Sequence, residues 1–156
     1  MSSSLLVVGA GLAGLGAARA ARRSGFAGQV TVVGAEPHRP YDRPPLSKDY
    51  LLGTVGVADV GLEGTAEDLG VDWRLGTVAT AFDAHSRRLT VADGSILEAD
   101  AVVLATGSTA RQLPGVAGPN VLTLRTLDDA DRLRSLLRPG TAVAIIGAGL
   151  IGSELA

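Results

Sequence analysis

Short apolar runs alternate with stretches rich in alanine and leucine along the first part of the chain. Residues 5–8 are uniformly apolar and predict a buried strand, which leads into a predicted helix over residues 12–24 with Gly25 as its stop. Residues 29–33 form a second apolar run and predict the next strand. This strand, helix and strand order is typical of a parallel sheet covered by helices, so the pattern indicates an α/β fold.

The same patterning predicts the remaining elements. We predict, in chain order, a short helix over 46–52, a helical turn over 65–69, a third strand over 71–74, two alternating runs over 78–82 and 88–92 with a return at 96–97, a buried strand over 101–104, an amphipathic helix over 127–137 and a further buried strand over 142–146. Asp93-Gly94 is typical of a hairpin turn, so the alternating runs indicate a small antiparallel sheet inserted into the parallel one. Residues 53–64 follow neither period and are expected to be irregular.

Two Gly-x-Gly-x-x-Gly motifs, at residues 9–14 and 147–152, each follow one of the predicted buried strands. Such glycines allow a tight turn into a helix whose first amide groups face a pyrophosphate. The repeated unit predicts two nucleotide sites, one for a flavin dinucleotide and one for a nicotinamide dinucleotide. Because the second motif comes at the end of the sequence, we expect the chain to hold only the opening of its second site and to be a fragment of a longer enzyme.

The predicted architecture is therefore a Rossmann-like FAD-binding domain over 1–111, a connection over 112–124 and the truncated start of a second Rossmann-like, NAD(P)-binding domain over 125–156. Glu36 follows the first motif by about 20 residues, where a carboxylate that accepts a ribose hydroxyl belongs. Strand, motif, helix, strand and acid in this order favour a nucleotide site over a plain tight turn.

Composition narrows the classes of function. The chain has 156 residues and a net charge of −2, and its scattered basic residues give no indication of a nucleic-acid surface. No apolar run approaches the roughly 20 residues of a membrane span, so the cytoplasm is the expected location. The absence of cysteine excludes disulfide or peroxide reduction through a thiol of this chain. Without a cluster of cysteine and histidine, no metal site is predicted.

Residues 40–48, Pro-Tyr-Asp-Arg-Pro-Pro-Leu-Ser-Lys, are the most specific string in the sequence. The string resembles the flavin-facing segment of the FAD-dependent, NAD(P)H-oxidising ferredoxin reductases of oxygenase systems. That family includes putidaredoxin and rubredoxin reductases and is related to apoptosis-inducing factor. The resemblance extends to both glycine motifs, to residues 105–107 and to residues 124–125. It covers essentially the whole chain but less than half of a usual member, whose fold has an FAD domain, an inserted NAD domain and a C-terminal interface domain.

The resemblance also implies roles for individual residues. The cofactor-binding residues that it implies are Gly9, Gly11, Leu12, Ala13 and Gly14 at the first motif, Ala35 and Glu36 at the adenosine ribose, Arg43 and Lys48 at the flavin end, Val78 at the adenine, Ala105, Thr106 and Gly107 beside FAD, Arg125, and Gly147, Gly149, Ile151, Gly152 and Glu154 at the second motif. Ala35 stands where many relatives carry an acid, which leaves Glu36 as the sole ribose acceptor. Lys48 and Glu154 are the implied catalytic pair, which would orient the site for hydride transfer.

By the same resemblance, the parent protein would take a hydride from NAD(P)H onto FAD and pass electrons singly to a [2Fe-2S] ferredoxin or a rubredoxin of a mono- or dioxygenase system. Two alternatives stay open at this point. The chain could be a truncated, non-catalytic nucleotide-binding module, or a redox-linked binding protein similar to apoptosis-inducing factor. The choice between NADH and NADPH, the electron acceptor and the oligomeric state also stay open.

Overall fold

The computed structural model describes residues 3–62 and 68–156. The strands are β1 (Ser4–Val8), β2 (Gln29–Val33), β3 (Val71–Arg74), β4 (Ala79–Asp83), β5 (Arg88–Val91), β6 (Ile96–Glu98) and β7 (Ala101–Leu104). The helices are α1 (Leu12–Arg23), α2 (Asp49–Leu52), α3 (Val57–Val60), α4 (Leu127–Leu136) and α5 (Leu150–Leu155), and a 3-10 helix covers Pro44–Ser47. None of these helices is long and apolar enough to cross a membrane.

A parallel sheet has the strand order β3-β2-β1-β7, and the first glycine motif follows its interior strand β1. β1 pairs in parallel with β2 on one side and with β7 on the other. Val7, Val30 and Val32 form a fully buried cluster with Ala18 of α1. A small residue at position 18 lets the helix approach the β-branched side chains of the sheet closely. The α/β class and the predicted strand, helix and strand unit are confirmed.

A second, antiparallel sheet has the strand order β4-β5-β6. The turn between β5 and β6 contains Gly94, whose φ of +84° suits glycine. Leu89 and Val91 of β5 are buried in one cluster with Leu6 and Val8 of β1, so this small sheet packs against the parallel one. The predicted antiparallel insertion is confirmed.

Arg22, near the end of α1, forms hydrogen bonds with the segments that precede β2 and β3. Its guanidinium donates to the carbonyls of Phe26 over 2.7 Å and Gly28 over 2.8 Å, just before β2. It also donates to the carbonyls of Leu69 over 2.7 Å and Gly70 over 2.9 Å, just before β3. The planar arrangement of guanidinium donors allows one side chain to satisfy four backbone acceptors.

The chain forms two compact units, Met1–Tyr41 with Leu62–Gly107 and Asp42–Gly61 with Ser108–Ala156. The first unit contains both sheets and α1, and the second contains the 3-10 helix and α2 to α5. Compact packing units do not by themselves establish the bounds of nucleotide-binding domains. The boundaries placed at 111 and 125 therefore stay a prediction.

In the second unit, α2 packs against α4. Thr126 and Asp129 form a capping box at the start of α4, with the Asp129 amide donating to Thr126 Oγ1 over 3.1 Å. The hydroxyl of Tyr50 in α2 donates to Asp131 in α4 over 2.9 Å. Burial of Tyr50, together with this hydrogen bond, raises the pKa of its phenol. A buried aromatic ring and a satisfied hydroxyl thus hold the two helices together.

Residues 142–146 differ from their prediction as a buried strand. They carry no strand assignment, and Val143 and Ile146 are 54% and 72% exposed. A strand needs a hydrogen-bonded neighbour, and none of the strands in the described residues pairs with this run. An apolar run therefore indicates a candidate strand, but the run forms a strand only when another strand pairs with it.

Smaller differences concern boundaries and burial. The predicted strand over 101–104 exists, but it forms the edge of the sheet, so Leu104 is exposed rather than buried. The predicted helix over 46–52 is divided between the 3-10 helix and α2, and α3 lies in the stretch that was expected to be irregular. The helical turn predicted over 65–69 falls largely outside the described residues.

Candidate functional site

The first glycine motif forms a tight turn between β1 and α1. Gly9 has a φ of +119°, and its amide donates to the carbonyl of Val33 over 2.7 Å. A Cβ at Gly9 would lie 2.0 Å from the carbonyl oxygen of Ala105. Conformation and space therefore both require glycine here. The turn and residues 105–107, which are far apart in the sequence, therefore lie side by side.

The start of α1 is open. Gly11 is the N-cap, and a Cβ added there would meet no heavy atom of the described chain within 4 Å. Leu12 is 64% exposed and Ala13 is also exposed, whereas a Cβ at Gly14 would lie 1.8 Å from the carbonyl oxygen of Gly9. The first turn of this 12-residue helix contains no acidic residue. Exposed amide groups and the helix dipole make this place favourable for an anion such as a pyrophosphate.

Glu36 follows β2 and is oriented by a tyrosine. The Tyr41 hydroxyl donates to the Glu36 carboxylate, and the Glu36 carbonyl accepts a hydrogen bond from the Gly76 amide over 3.0 Å. Tyr41 is itself buried, while the neighbouring Ala35 is exposed. No local pattern in the sequence indicates this role of Tyr41, although the residue lies in the string that carries the family resemblance.

The two other predicted segments of the first unit lie at strand ends. Val78 precedes β4, where its carbonyl accepts a hydrogen bond from the Ala92 amide over 2.9 Å and its side chain is exposed. The Ala105 amide donates to the carbonyl of Val8 over 2.7 Å, which extends the pairing of β7 with β1. Gly107 then turns the chain with a φ of +70°. Contacts of these residues with FAD stay a prediction.

The second compact unit brings Lys48 and Glu154 together. Lys48 Nζ lies 3.0 Å from Glu154 Oε1, with 49% and 28% of the two side chains exposed. The Ser47 hydroxyl donates to Glu154 Oε2 over 2.5 Å. The two predicted catalytic residues therefore form an ion pair, and Ser47, which is not among the predicted site residues, completes the arrangement.

The hydrogen bond from Ser47, followed by the hydrogen bond and the positive charge of Lys48, holds the pKa of the Glu154 carboxyl below its ordinary value. Glu154 is therefore ionised at neutral pH. An ionised carboxylate accepts hydrogen bonds at both oxygens, which matches its two different partners.

Arg43 and Arg125 also lie together in the second unit. Arg43 Nη1 donates to the carbonyl of Arg125 over 2.6 Å, and Arg125 Nε donates to the carbonyl of Ser108 over 3.2 Å. These bonds fix the segment that enters α4 beside the chain that precedes the 3-10 helix. The contacts that both residues would make with a cofactor stay a prediction.

The second glycine motif repeats the local geometry of the first. Gly147 has a φ of +116°, and a Cβ at Gly152 would lie 2.1 Å from the carbonyl oxygen of Gly147. Gly149 is the N-cap of α5, in which Ile151 is exposed. Unlike Gly9, Gly147 has space for a Cβ, because no atom of the chain, as far as it is described, comes within 4 Å of that position.

These features define an α/β protein of the Rossmann-like, dinucleotide-binding class. The sequence profile of one family, described as pyridine nucleotide-disulphide oxidoreductase, matches residues 3–156. The chain belongs to this family. Membership implies a flavin and a nicotinamide cofactor, and the glycine turn with its open helix start fits the pyrophosphate that such cofactors contain.

The chain is also similar to individual reductases. It is 40% identical to the ferredoxin–NAD(+) reductase subunit of the benzene 1,2-dioxygenase system of Pseudomonas putida, and all of this chain and 39% of that protein are covered. The ferredoxin reductase component of chlorobenzene dioxygenase from Cupriavidus sp. strain PS12 is 41% identical, with the same coverage of 100% and 39%. The chain therefore spans about two fifths of the length of these relatives.

Among solved structures, the chain matches putidaredoxin reductase in its covalent complex with putidaredoxin, with a TM-score of 0.90 and 35% identity. The match covers 98% of this chain and 38% of that chain. The resemblance to the ferredoxin reductases of oxygenase systems, which rests on residues 40–48 and the glycine motifs, is confirmed.

Proposed function

We propose that this chain forms the FAD-binding part, and the opening of the NAD(P)H-binding part, of a reductase that passes electrons from NAD(P)H to an iron–sulfur protein of a mono- or dioxygenase system. The observation that carries the proposal is the 3.0 Å contact between Lys48 Nζ and Glu154 Oε1. It joins residues 42–48, the larger part of that string, to the helix of the second glycine motif within one compact unit. The names of the relatives, which are reductase components of dioxygenase systems, support the same reaction.

The first unit supplies the groups that would hold the pyrophosphate and the adenosine. Gly9 and Gly14 have no room for a side chain, whereas Gly11 leaves open space at the start of α1. This contrast fits a backbone that packs tightly on its inner side and approaches a ligand on its outer side. Glu36, oriented by Tyr41, would accept the ribose hydroxyls. When bound, FAD supplies the conversion of two-electron hydride transfer into single-electron transfer.

The second unit supplies the charged side chains of Lys48 and Glu154. Lys48 places a cation at the end of the string that resembles a flavin-facing segment, and a cation there favours the negative charge of a reduced flavin. Glu154 neutralises part of that charge and holds the ammonium group in place over 3.0 Å. The proposed chemistry needs no side-chain nucleophile, which agrees with a sequence that has no cysteine.

The proposed electron acceptor is a [2Fe-2S] ferredoxin or a rubredoxin, and the proposed donor is NADH or NADPH. The benzene dioxygenase relative is named for ferredoxin and NAD(+), and the matched solved structure contains putidaredoxin, which supports a small electron carrier as the partner. We further propose the cytoplasm as the location of this reaction.

A second candidate function is a nucleotide-binding module that is not catalytic by itself. The observation in its favour is the exposure of Val143 and Ile146 before the second glycine motif, since a nucleotide site of this class is built on a paired strand. On this basis we expect the 156-residue chain alone not to oxidise NAD(P)H.

The proposed flavin site can be tested with a matched pair of glycine substitutions in α1. Gly14→Ala would place a Cβ 1.8 Å from the carbonyl oxygen of Gly9, whereas a Cβ at Gly16 would meet no described atom within 4 Å. FAD binding would be measured by quenching of flavin fluorescence. We expect saturable binding that Gly14→Ala weakens at least about tenfold and that Gly16→Ala leaves unchanged, where tenfold corresponds to about 1.4 kcal/mol. Equal affinities of the two variants would contradict the proposed site.

Anaerobic addition of NADH to the FAD-bound chain then separates the candidate functions. Rapid bleaching of the flavin would support a complete reductase centre in these residues and would exclude the non-catalytic module. Flavin that is bound but stays oxidised would support the non-catalytic module for this chain alone. Slow bleaching with a long-lived charge-transfer band would favour the redox-linked binding protein over both.

A further inference from the structure

Ser47 lies where the 3-10 helix meets α5, and its side chain belongs to the interior of the second unit. The residue is 8% exposed, although it is polar. Its Oγ lies 2.5 Å from Glu154 Oε2, and its other acceptor within reach is the Pro44 carbonyl at 3.4 Å. A hydroxyl has one proton to donate, and the closer, ionised acceptor takes it. The Ser47 proton is therefore committed to Glu154.

The two oxygens of Glu154 have different partners. Oε2 accepts from Ser47, which is buried at the end of the 3-10 helix, and Oε1 faces the ammonium group of Lys48 over 3.0 Å. Lys48 is about half exposed and has a long flexible side chain, so it does not by itself fix the direction of the carboxylate. A hydrogen bond from a fixed donor to one oxygen restricts rotation of the carboxylate and directs the other oxygen toward the lysine.

We propose that Ser47 is a positioning residue that holds Glu154 with Oε1 directed at Lys48, so that the hydroxyl of Ser47 controls the strength of the ion pair. The consequence for electron transfer rests on the proposed function, because only that proposal places Lys48 beside a flavin. The positioning itself is a property of the second unit and can be measured without a cofactor.

Few other charges face this carboxylate. Glu154 is the sole ionisable residue of α5, and the 3-10 helix that packs against α5 contains none. Next to the 3-10 helix lie Lys48, which pairs with Glu154, and Arg43, whose guanidinium donates to the carbonyl of Arg125. Ser47 and Lys48 supply the interactions that lower the pKa of Glu154, so changes in this pKa on replacing either residue report those interactions.

The experiment is a double-mutant cycle read from the pKa of Glu154, measured by carbon NMR of the labelled glutamate carboxyl in the 156-residue chain. The four proteins are the parent chain, Ser47→Ala, Lys48→Met and the double variant. If Ser47 positions Glu154 for Lys48, Lys48→Met raises the pKa of Glu154 less in the Ser47→Ala background than in the parent chain. If the two shifts simply add, or if Ser47→Ala causes no shift, the inference is wrong.

Further variants separate positioning from a general loss of structure. Ser47→Thr keeps the hydroxyl and should restore the parent pKa of Glu154, while Ser153→Ala removes an exposed hydroxyl next to Glu154 and should change nothing. If Ser47→Ala fails to fold, Ser47→Cys offers a side chain of similar size with a weak donor, and its cycle with Lys48→Met should show partial loss of coupling. Full coupling in folded Ser47→Cys would contradict the inference.

A measurement on the flavin-bound protein distinguishes this inference from the proposed function. With Lys48 beside the flavin, loosening of Glu154 leaves the ammonium charge less neutralised, so Ser47→Ala should raise the flavin midpoint potential in the same direction as Glu154→Gln. Coupling in the NMR cycle without any change in potential would support the role of Ser47 and overturn the placement of Lys48 beside the flavin. A change in potential without coupling would overturn the role of Ser47.

Discussion

The two glycine motifs have the same local turn but different surroundings. Gly9 and Gly147 have φ values of +119° and +116°, and a Cβ on the last glycine of each motif would lie 1.8 Å and 2.1 Å from the carbonyl oxygen of the first. The strand before Gly9 is paired on both sides, whereas the run before Gly147 belongs to no strand in the described residues. The turn is therefore determined by six residues, and the strand is determined by partners far away in the sequence.

This difference has a physical cause. Glycine at the first and last positions removes the steric conflict of the turn wherever the motif occurs. A strand gains stability only from hydrogen bonds and side-chain packing with its neighbours, as Val7 does in the cluster with Val30 and Val32. Comparison of the two regions thus separates the local contribution to the fold from the contribution of the sheet.

The largest expected effect comes from alanine at the first glycine of each motif. Gly9→Ala introduces both a strained φ and a contact of 2.0 Å with the carbonyl oxygen of Ala105, while Gly147→Ala introduces strain alone. We expect a loss in the free energy of unfolding of about 3 kcal/mol or more for Gly9→Ala and about 1 kcal/mol for Gly147→Ala. Urea denaturation followed by circular dichroism measures both.

The control for this pair is Gly76→Ala, at a turn with a φ of +66° where a Cβ would meet no described neighbour within 4 Å. Its destabilisation should resemble that of Gly147→Ala, because both replacements cause strain without a contact. Equal losses for Gly9→Ala and Gly147→Ala would mean that the contact with the Ala105 carbonyl contributes nothing, which contradicts the comparison.

A smaller effect is expected from shortening a valine in each region. Val32 is fully buried in the sheet, and Val143 is largely exposed. Val32→Ala should lower the free energy of unfolding by about 2 kcal/mol through lost burial and a cavity, whereas Val143→Ala should stay within about 0.5 kcal/mol of the parent. Thermal unfolding of the two variants measures the difference, and a loss of similar size at Val143 would show that residues 142–146 are packed in solution.

The sequence predicts those parts of the fold that local patterns determine. The strand, glycine turn and helix at the start of the chain, and the hairpin around Gly94, have clear periodicity and turn residues, and the structure confirms them. Exposure of Leu104 at a sheet edge could not be predicted, because strand order depends on long-range pairing. The same holds for the hydrogen bond between Ser47 and Glu154, since no local pattern brings a serine to a carboxylate so far along the chain.

The smallest expected effect concerns one exposed carboxylate in each region. Hydrogen bonds from Ser4 hold the pKa of Asp100 below its ordinary value, and Ser47 and then Lys48 do the same for Glu154. Because both folded-state pKa values are lowered, the stabilising contribution is present at neutral pH and is lost as the pH falls through the folded-state pKa. Both groups are exposed, so the change in global stability is small.

Hydrogen exchange of single backbone amides can distinguish the two carboxylates, although their effect on global stability is small. Acidification from about pH 7 to about pH 3 should reduce the protection of the Ser153 amide of α5, which donates to the carbonyl of the N-cap residue Gly149, because protonated Glu154 no longer holds that helix. Glu154→Gln should show the low protection at all pH values. The Gln29 amide donates to the carbonyl of Ser3, next to Ser4, which donates to the Asp100 carboxylate. This amide should stay protected in Asp100→Asn because β1 and β2 remain paired. Equal loss of protection at both amides would contradict the comparison, since the paired strands would then protect the Gln29 amide no better than the short helix α5 protects the Ser153 amide.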